Sequence, residues 1–279
     1  MRAFESLDDP RLSTATYRVV SGGADRTDGV TSGATEGATG AGHGTVVLVG
    51  VVHDHPASVF RARTAVEAVD PAVVAVELPD LALPLFEHGT ETDGEERAAT
   101  DGEGGRETVE TDGGEQRFGD EMSAALWAAD GETVGIDGID AGFLSGLAGT
   151  LRAEDASAAT VRRTARSVAG IGRRALACRV AAVTDRGGPT TRADGPADFD
   201  CTTADDPATQ AADERRHRSR SRSLLAAIER PHADRVLDAT REAAMVRRLA
   251  SLRRSGDVVA VVGFDHLDAV ADGLCEASE

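Results

Sequence analysis

The chain has 279 residues, with 48 acidic residues against 30 basic ones, every basic one an arginine, for a formal net charge of −18. That balance argues against nucleic acid as a partner, because phosphate-backbone affinity comes mainly from Lys and Arg displacing counterions. Cys178, Cys201 and Cys275 are widely separated and never form a C-x-x-C pair, which argues against a disulfide framework or a zinc ribbon.

No apolar window approaches the ~20 residues needed to cross a bilayer, so no membrane partner is expected and the reading is of a cytoplasmic protein. The Lys-free, Ala-rich and Gly-rich acidic composition is that of a salt-adapted, halophilic protein whose surface stays hydrated when salt screens long-range attraction.

Residues 1–43 hold scattered Gly, Thr, Ser and Asp, too few apolar groups to offset ordering entropy, and read as a flexible N-terminal segment. Within them only Tyr17, Val19 and Val20 suggest a docked edge strand. Residues 44–279 read as one α/β domain. The run 45–52 (TVVLVGVV) has the continuous β-branched character of a strand buried on both faces. A helix is expected over 56–69, with Pro56 where a first turn tolerates it, and a second buried strand over 72–78 (AVVAVEL). Residues 89–117 carry ten acidic side chains against three arginines and form an exposed insertion. A helix over 120–129 and a short strand over 133–137 (TVGID) follow.

Residues 156–184 and 214–254 are Arg-rich with apolar positions at helical spacing. In the second, Val236, Leu237, Met245, Leu249 and Leu252 form an apolar stripe, and Pro231 marks a restart after Arg230. Between these helices, 185–213 holds Pro189, Pro196 and Pro207 and reads as a second exposed insertion. The last strand is 257–262 (DVVAVV). Alternation of this kind predicts an α/β fold: a mainly parallel central sheet with flanking helices, plus a helical section and acidic disordered insertions.

Two G-x-x-H sequences follow the outermost of these buried strands, Gly50-Val51-Val52-His53 and Gly263-Phe264-Asp265-His266. Parallel strands present their carboxyl ends at one edge, where ligands bind, so neighbouring strands would bring His53 and His266 together as imidazole ligands. Glu77 ends the second strand among apolar neighbours, where a carboxylate either meets a cation or reaches water. Arg241 falls on or beside the apolar stripe and calls for an anion: Glu77, a substrate carboxylate or an oxyanion. Glu121 has the position of a favourable first-turn charge. Asp137 and Asp140 flank a turn at the end of the TVGID strand, where each either faces the same sheet edge as His53 or serves the turn itself. His55 is either a third ligand or the residue that merely precedes a helix. The run Arg215-Arg216-His217-Arg218 with Arg220 and Arg222 lacks interleaved aromatics and reads as a solvated helix face.

Taken in order, G-V-V-H (50–53), V-V-A-V-E-L (73–78), G-D-E-M-S-A-A (119–125), V-G-I-D (134–137), R-E-A-A-M (241–245) and V-V-G-F-D-H (261–266) resemble the TraB/PrgY-like family, which is related to Tiki-like metalloproteases and erythromycin-esterase-like proteins. The resemblance covers roughly residues 44–275, outside the two insertions. It implies a metal site at His53, His266 and Glu77, with Glu77, Arg241 and Glu121 as catalytic positions. The activity it implies is divalent-metal-dependent hydrolysis (Mn, Co or Zn) of peptide or amide bonds in a peptide or small-molecule substrate. The competing reading is a non-catalytic peptide or small-ligand binding protein that keeps the same pocket. Many archaeal members continue into membrane helices, whereas this sequence reaches Glu279 soon after its last motif, so membrane attachment is not expected here. The oligomeric state is left open, a homodimer included.

Overall fold

The computed structural model describes residues 7–21, 43–88, 120–184, 199–227 and 230–278. Among them the β-branched runs form a five-stranded sheet of β1 (Tyr17–Val20), β2 (Val46–Val51), β3 (Val73–Val76), β4 (Glu132–Gly135) and β5 (Val258–Gly263), ordered β1-β2-β5-β3-β4. β1 is antiparallel to β2 at one edge, and every other pairing is parallel. The helices are α1 (Pro56–Val69), α2 (Leu83–His88), α3 (Asp120–Trp127), α4 (Ala141–Ala153), α5 (Ala158–Thr184), α6 (Pro207–Ala227), α7 (His232–Leu252) and α8 (Phe264–Glu276).

Every residue of β2, β3 and β5 is buried, which explains their unbroken apolar runs: both faces of the sheet are covered. Successive side chains point to opposite faces. Val47, Val49, Val74, Val259 and Val261 pack on one face with Ala62, Ala65 and Val66 of α1 and Met122 and Ala125 of α3. Val46, Leu48, Val73, Ala75, Val258 and Ala260 pack on the other with Met245 and Leu249 of α7 and Leu267, Val270 and Leu274 of α8. A smaller cluster of Phe143, Leu147 and Val236 joins α4 to α7.

The turn out of β2 is shaped for close contact with α8. A Cβ on Gly50 would lie 2.6 Å from Cε1 of Phe264, so the first glycine of the G-V-V-H motif lets the start of α8 press against β2. α1 then begins on His55 as N-cap with Pro56 in its first turn, and stops at Asp70, whose φ of 49° is left-handed.

The insertion 89–117 lies outside the described residues, as does 185–198 of the second insertion. In the rest of that second stretch residues 202–209 are exposed as expected, but Cys201, Gln210 and Asp213 are buried, and α6 opens at Pro207, a position where proline initiates a helix. The N-terminal segment likewise contributes β1 and the buried Leu12. No helix among the described residues is long and apolar enough to cross a membrane.

Leu249 is fully buried between α7 and the sheet, whereas Trp127 is 55 % exposed at the end of α3. Leu249→Ala is therefore expected to lower unfolding free energy by about 2–5 kcal/mol, and Trp127→Ala to change it by no more than about 0.5 kcal/mol. Denaturant titrations of both variants check this, and equal effects would contradict the layered core.

Candidate functional site

The β2–β5 register pairs Val51 with Gly263, so both strands end at the same edge. His53 follows in the turn after β2, and His266 sits in the first turn of α8. Glu77 comes directly after β3, its amide donating to the Val261 carbonyl at 3.1 Å. One Glu77 oxygen, Oε2, accepts from the Gly263 amide at 2.6 Å. The other, Oε1, accepts from Arg241 Nη2 at 3.0 Å and lies 3.6 Å from Nε2 of His266. A Cβ on Gly263 would stand 3.3 Å from Glu77 Oε2 and 3.6 Å from His53 Nε2. Glycine at 263 thus leaves a hollow between a carboxylate and an imidazole.

Each imidazole is oriented by a carboxylate behind it. His53 Nδ1 is 2.7 Å from Glu121 Oε1, while Glu121 Oε2 accepts from the Asp54 amide at 2.9 Å. His266 Nδ1 is 2.9 Å from Glu242 Oε1. With Nδ1–H donating to these carboxylates, each ring in its neutral form carries its acceptor at Nε2. Burial pulls the His53 imidazole down, but the Glu121 hydrogen bond and the charges of Glu121, Glu77 and Asp54 outweigh it and raise its pKa to about 9. His266 is also raised: burial opposes, and Glu242 and Glu77 prevail. Arg241 donates from Nε and Nη2 to both oxygens of Asp137, at 2.9 and 2.6 Å. Burial works against its charge, yet Asp137 and Glu77 hold it firmly protonated.

Beneath the His53 turn lies a buried ionic network. Arg61 donates to the Gly50 carbonyl at 2.6 Å, to the Arg11 carbonyl at 2.7 Å, and to Glu214. Glu214 also accepts from Ser58 Oγ at 2.7 Å, and Ser58 Oγ accepts from the Val52 amide at 2.8 Å.

The structure therefore brings His53, Glu77, His266, Glu121 and Arg241 to one sheet edge, with Asp137 beside them. Of the readings open for Arg241, pairing with Glu77 is realised. Glu121 is fully buried behind His53. Asp140 is elsewhere, capping α4 through a 2.6 Å bond from the Phe143 amide. The Arg-rich face of α6 is partly tied down: Arg216 meets Asp213 at 2.8 Å, and Arg218 covers the Phe264 ring at 3.5 Å. Glu242, Arg61, Glu214, Cys201 and Asp213 carry no signal in the sequence reading. Glu242 was reachable, since it lies beside Arg241 in the R-E-A-A-M run.

His55 does not join His53. Its ring is fully buried and points away, with Nδ1 accepting from the Ala57 amide at 3.1 Å and Nε2 directed at Asp213 and Cys201. Burial lowers the His55 pKa, and burial together with Asp213 pushes the Cys201 thiol up to about 12. The ligand atoms of His55, Cys201 and Asp213 all lie within 4.8 Å of one another, a buried group that could hold a metal ion and, among the described residues, the one such trio found. The ligand atoms of His53, Glu77 and His266 do not all fall within that distance of one another. Comparison of the chain with protein families, with curated proteins and with solved structures gives no match.

In chelator-treated protein, an NMR titration of the His53 ring is expected to show a midpoint near 9, moving toward the ordinary value of about 6.5 in Glu121→Gln. Because the folded pKa lies above the unfolded one, the stabilisation from this contact is complete below about pH 6.5 and is lost as pH rises through about 9. A wild-type midpoint at the ordinary value would refute the assignment.

Proposed function

We propose that this sheet edge is the active site of a TraB/Tiki-like, divalent-metal-dependent hydrolase of peptide or amide bonds. The observation that carries the reading is the paired carboxylate–histidine arrangement, Glu121–His53 and Glu242–His266, with Glu77 against His266 and, across Gly263, near His53. Metal-binding histidines are held in this way, their outer nitrogen bonded to a carboxylate that fixes the tautomer and raises ligand basicity. The raised imidazoles hold protons that a dication would replace: with both rings deprotonated, Glu77, Glu121, Asp137 and Glu242 face Arg241 alone, which suits a divalent ion on charge grounds. The hollow at Gly263 gives room beside the donors where any side chain would intrude.

His53, His266 and Glu77 would hold the ion, with Mn, Co and Zn all compatible with imidazole and carboxylate donors. A divalent ion there would supply Lewis acidity toward a carbonyl and lower the pKa of a bound water. The protein's own groups do the rest. Glu121 and Glu242 keep Nε2 of each ring turned outward. Arg241 and the Gly263 amide fix both oxygens of Glu77, and Glu77 has a lone pair left for the general-base role. Arg241 acts on Glu77 and Asp137 as a positioning residue, in place of a direct contact with substrate charge.

The test is hydrolysis of a broad peptide library by metal-free protein reconstituted with Mn, Co or Zn, read by mass spectrometry. Fragments are expected only with metal. His53→Ala and His266→Ala should each lose at least about 100-fold in rate, and Glu121→Gln about 10–100-fold. Peptides retained intact, with no fragments under any metal, would favour the binding reading over hydrolysis.

A further inference from the structure

The His55–Cys201–Asp213 cluster lies on the far side of the His53 turn and takes no part in the reading above. Its three atoms form a triangle: Nε2 of His55 is 3.3 Å from Oδ2 of Asp213, Sγ of Cys201 is 3.5 Å from that oxygen, and Sγ is 3.7 Å from Nε2. Tetrahedral zinc bond lengths, about 2.3 Å to sulfur, about 2.0–2.1 Å to nitrogen and about 2.0–2.2 Å to oxygen, place ligand atoms about 3.3–3.5 Å (N to O), about 3.5–3.7 Å (S to O) and about 3.5–3.6 Å (S to N) apart. The observed triangle agrees with these edges to within about 0.1 Å. As a hydrogen bond, by contrast, the 3.3 Å contact is long against an ordinary N–H···O length of about 2.9–3.0 Å.

We propose that His55 Nε2, Cys201 Sγ and Asp213 Oδ2 are three protein ligands of a tetrahedral site for a thiophilic divalent cation of the zinc class, with a water molecule completing the fourth position. A thiolate, an imidazole and a carboxylate together select such an ion over magnesium or calcium. The thiolate and carboxylate balance its charge in a place where all three side chains are buried. The carboxylate is already aimed: Arg216 donates to Oδ1 of Asp213 at 2.8 Å, and the Asp200 amide to Oδ2 at 3.2 Å. Phe199 packs edge-on against the His55 ring at 4.7 Å.

Binding releases one proton, from the Cys201 thiol. The His55 ring stays neutral by moving its proton from Nε2 to Nδ1, which frees Nε2 as a ligand and removes the acceptor for the Ala57 amide. The Ala57 capping bond and the long His55–Asp213 and Cys201–Asp213 hydrogen bonds are exchanged for three coordinate bonds, an exchange that favours the metal. The ion would fasten the segment before α6 to the start of α1, two residues from His53.

The experiment uses the full chain with Cys178→Ser and Cys275→Ser, which leaves Cys201 as its one thiol, titrated with Co(II) after chelator treatment. The expected result is a near-ultraviolet thiolate-to-cobalt charge-transfer band that corresponds to one cobalt on the single thiol, in addition to any cobalt held at the His53–Glu77–His266 edge. Zn(II) should displace the band, and Asp213→Asn should weaken the site at least about 10-fold. His53→Ala and His266→Ala should leave the band in place, since the other site contains no sulfur, so failure of either site is read separately. Absence of the band in the folded double variant overturns the proposal, whether or not Cys201→Ser itself folds.

Discussion

The parallel pairing of β2 with β5 is the constraint on which the rest of the molecule depends. It joins Val46 to Val258, residues 212 positions apart (258 minus 46), and it sets Val51 opposite Gly263. The entropy of closing so long a loop grows only logarithmically with its length, so the helices and acidic stretches between the two strands are tolerated. What the pairing supplies is a common end point. From it follow the approach of His53 and His266 to Glu77, the capture of Glu77 by the Gly263 amide, and the fit of Phe264 into the space that Gly50 leaves open.

Charge is the costly part of this arrangement. Glu121 is fully buried and Glu77 nearly so, and an ionised carboxylate removed from water without partners is strongly unfavourable. Each is answered within the chain: Glu121 by His53 and the Asp54 amide, Glu77 by Arg241 and the Gly263 amide. Removing one member of a buried pair costs about 3–5 kcal/mol, more than the pair contributes relative to apolar replacements. Carboxylates at this edge are therefore poor devices for stability.

Much of this was legible in the sequence because it follows from local patterns. The β-branched runs gave the strands, the order of strands and helices gave the parallel sheet, and strand-terminal G-x-x-H gave the two rings. Glu77 stood out as a charge where an apolar residue was expected. What stayed hidden depends on partners distant in the chain. Glu214 reads as one more acid in an Arg-rich helix until Arg61 and Ser58 are seen beneath it. Cys201 and Asp213 sit in a Pro-containing polar stretch whose composition says exposed, yet both are buried against the His55 ring. The helices α2, α4 and α8 were missed for another reason. α2 is short, α4 is rich in Gly, and α8 follows so directly on β5 that its first turn reads as the tail of a motif.

The turn between β2 and α1 shows how the two clusters are linked mechanically while remaining chemically separate. Asp54 has a φ of 61°, a left-handed conformation that is uncommon outside glycine and is held here by surrounding structure. On one side its amide bonds to Glu121; on the other, the next residue buries its ring against α6 and caps α1. The reversal at Asp54 is what sends His53 toward Glu77 and His55 toward Asp213. The left-handed Asp54 therefore separates a partly exposed ring that reaches Glu121 from a buried one that reaches Asp213, and one strained residue directs a single tripeptide toward two clusters.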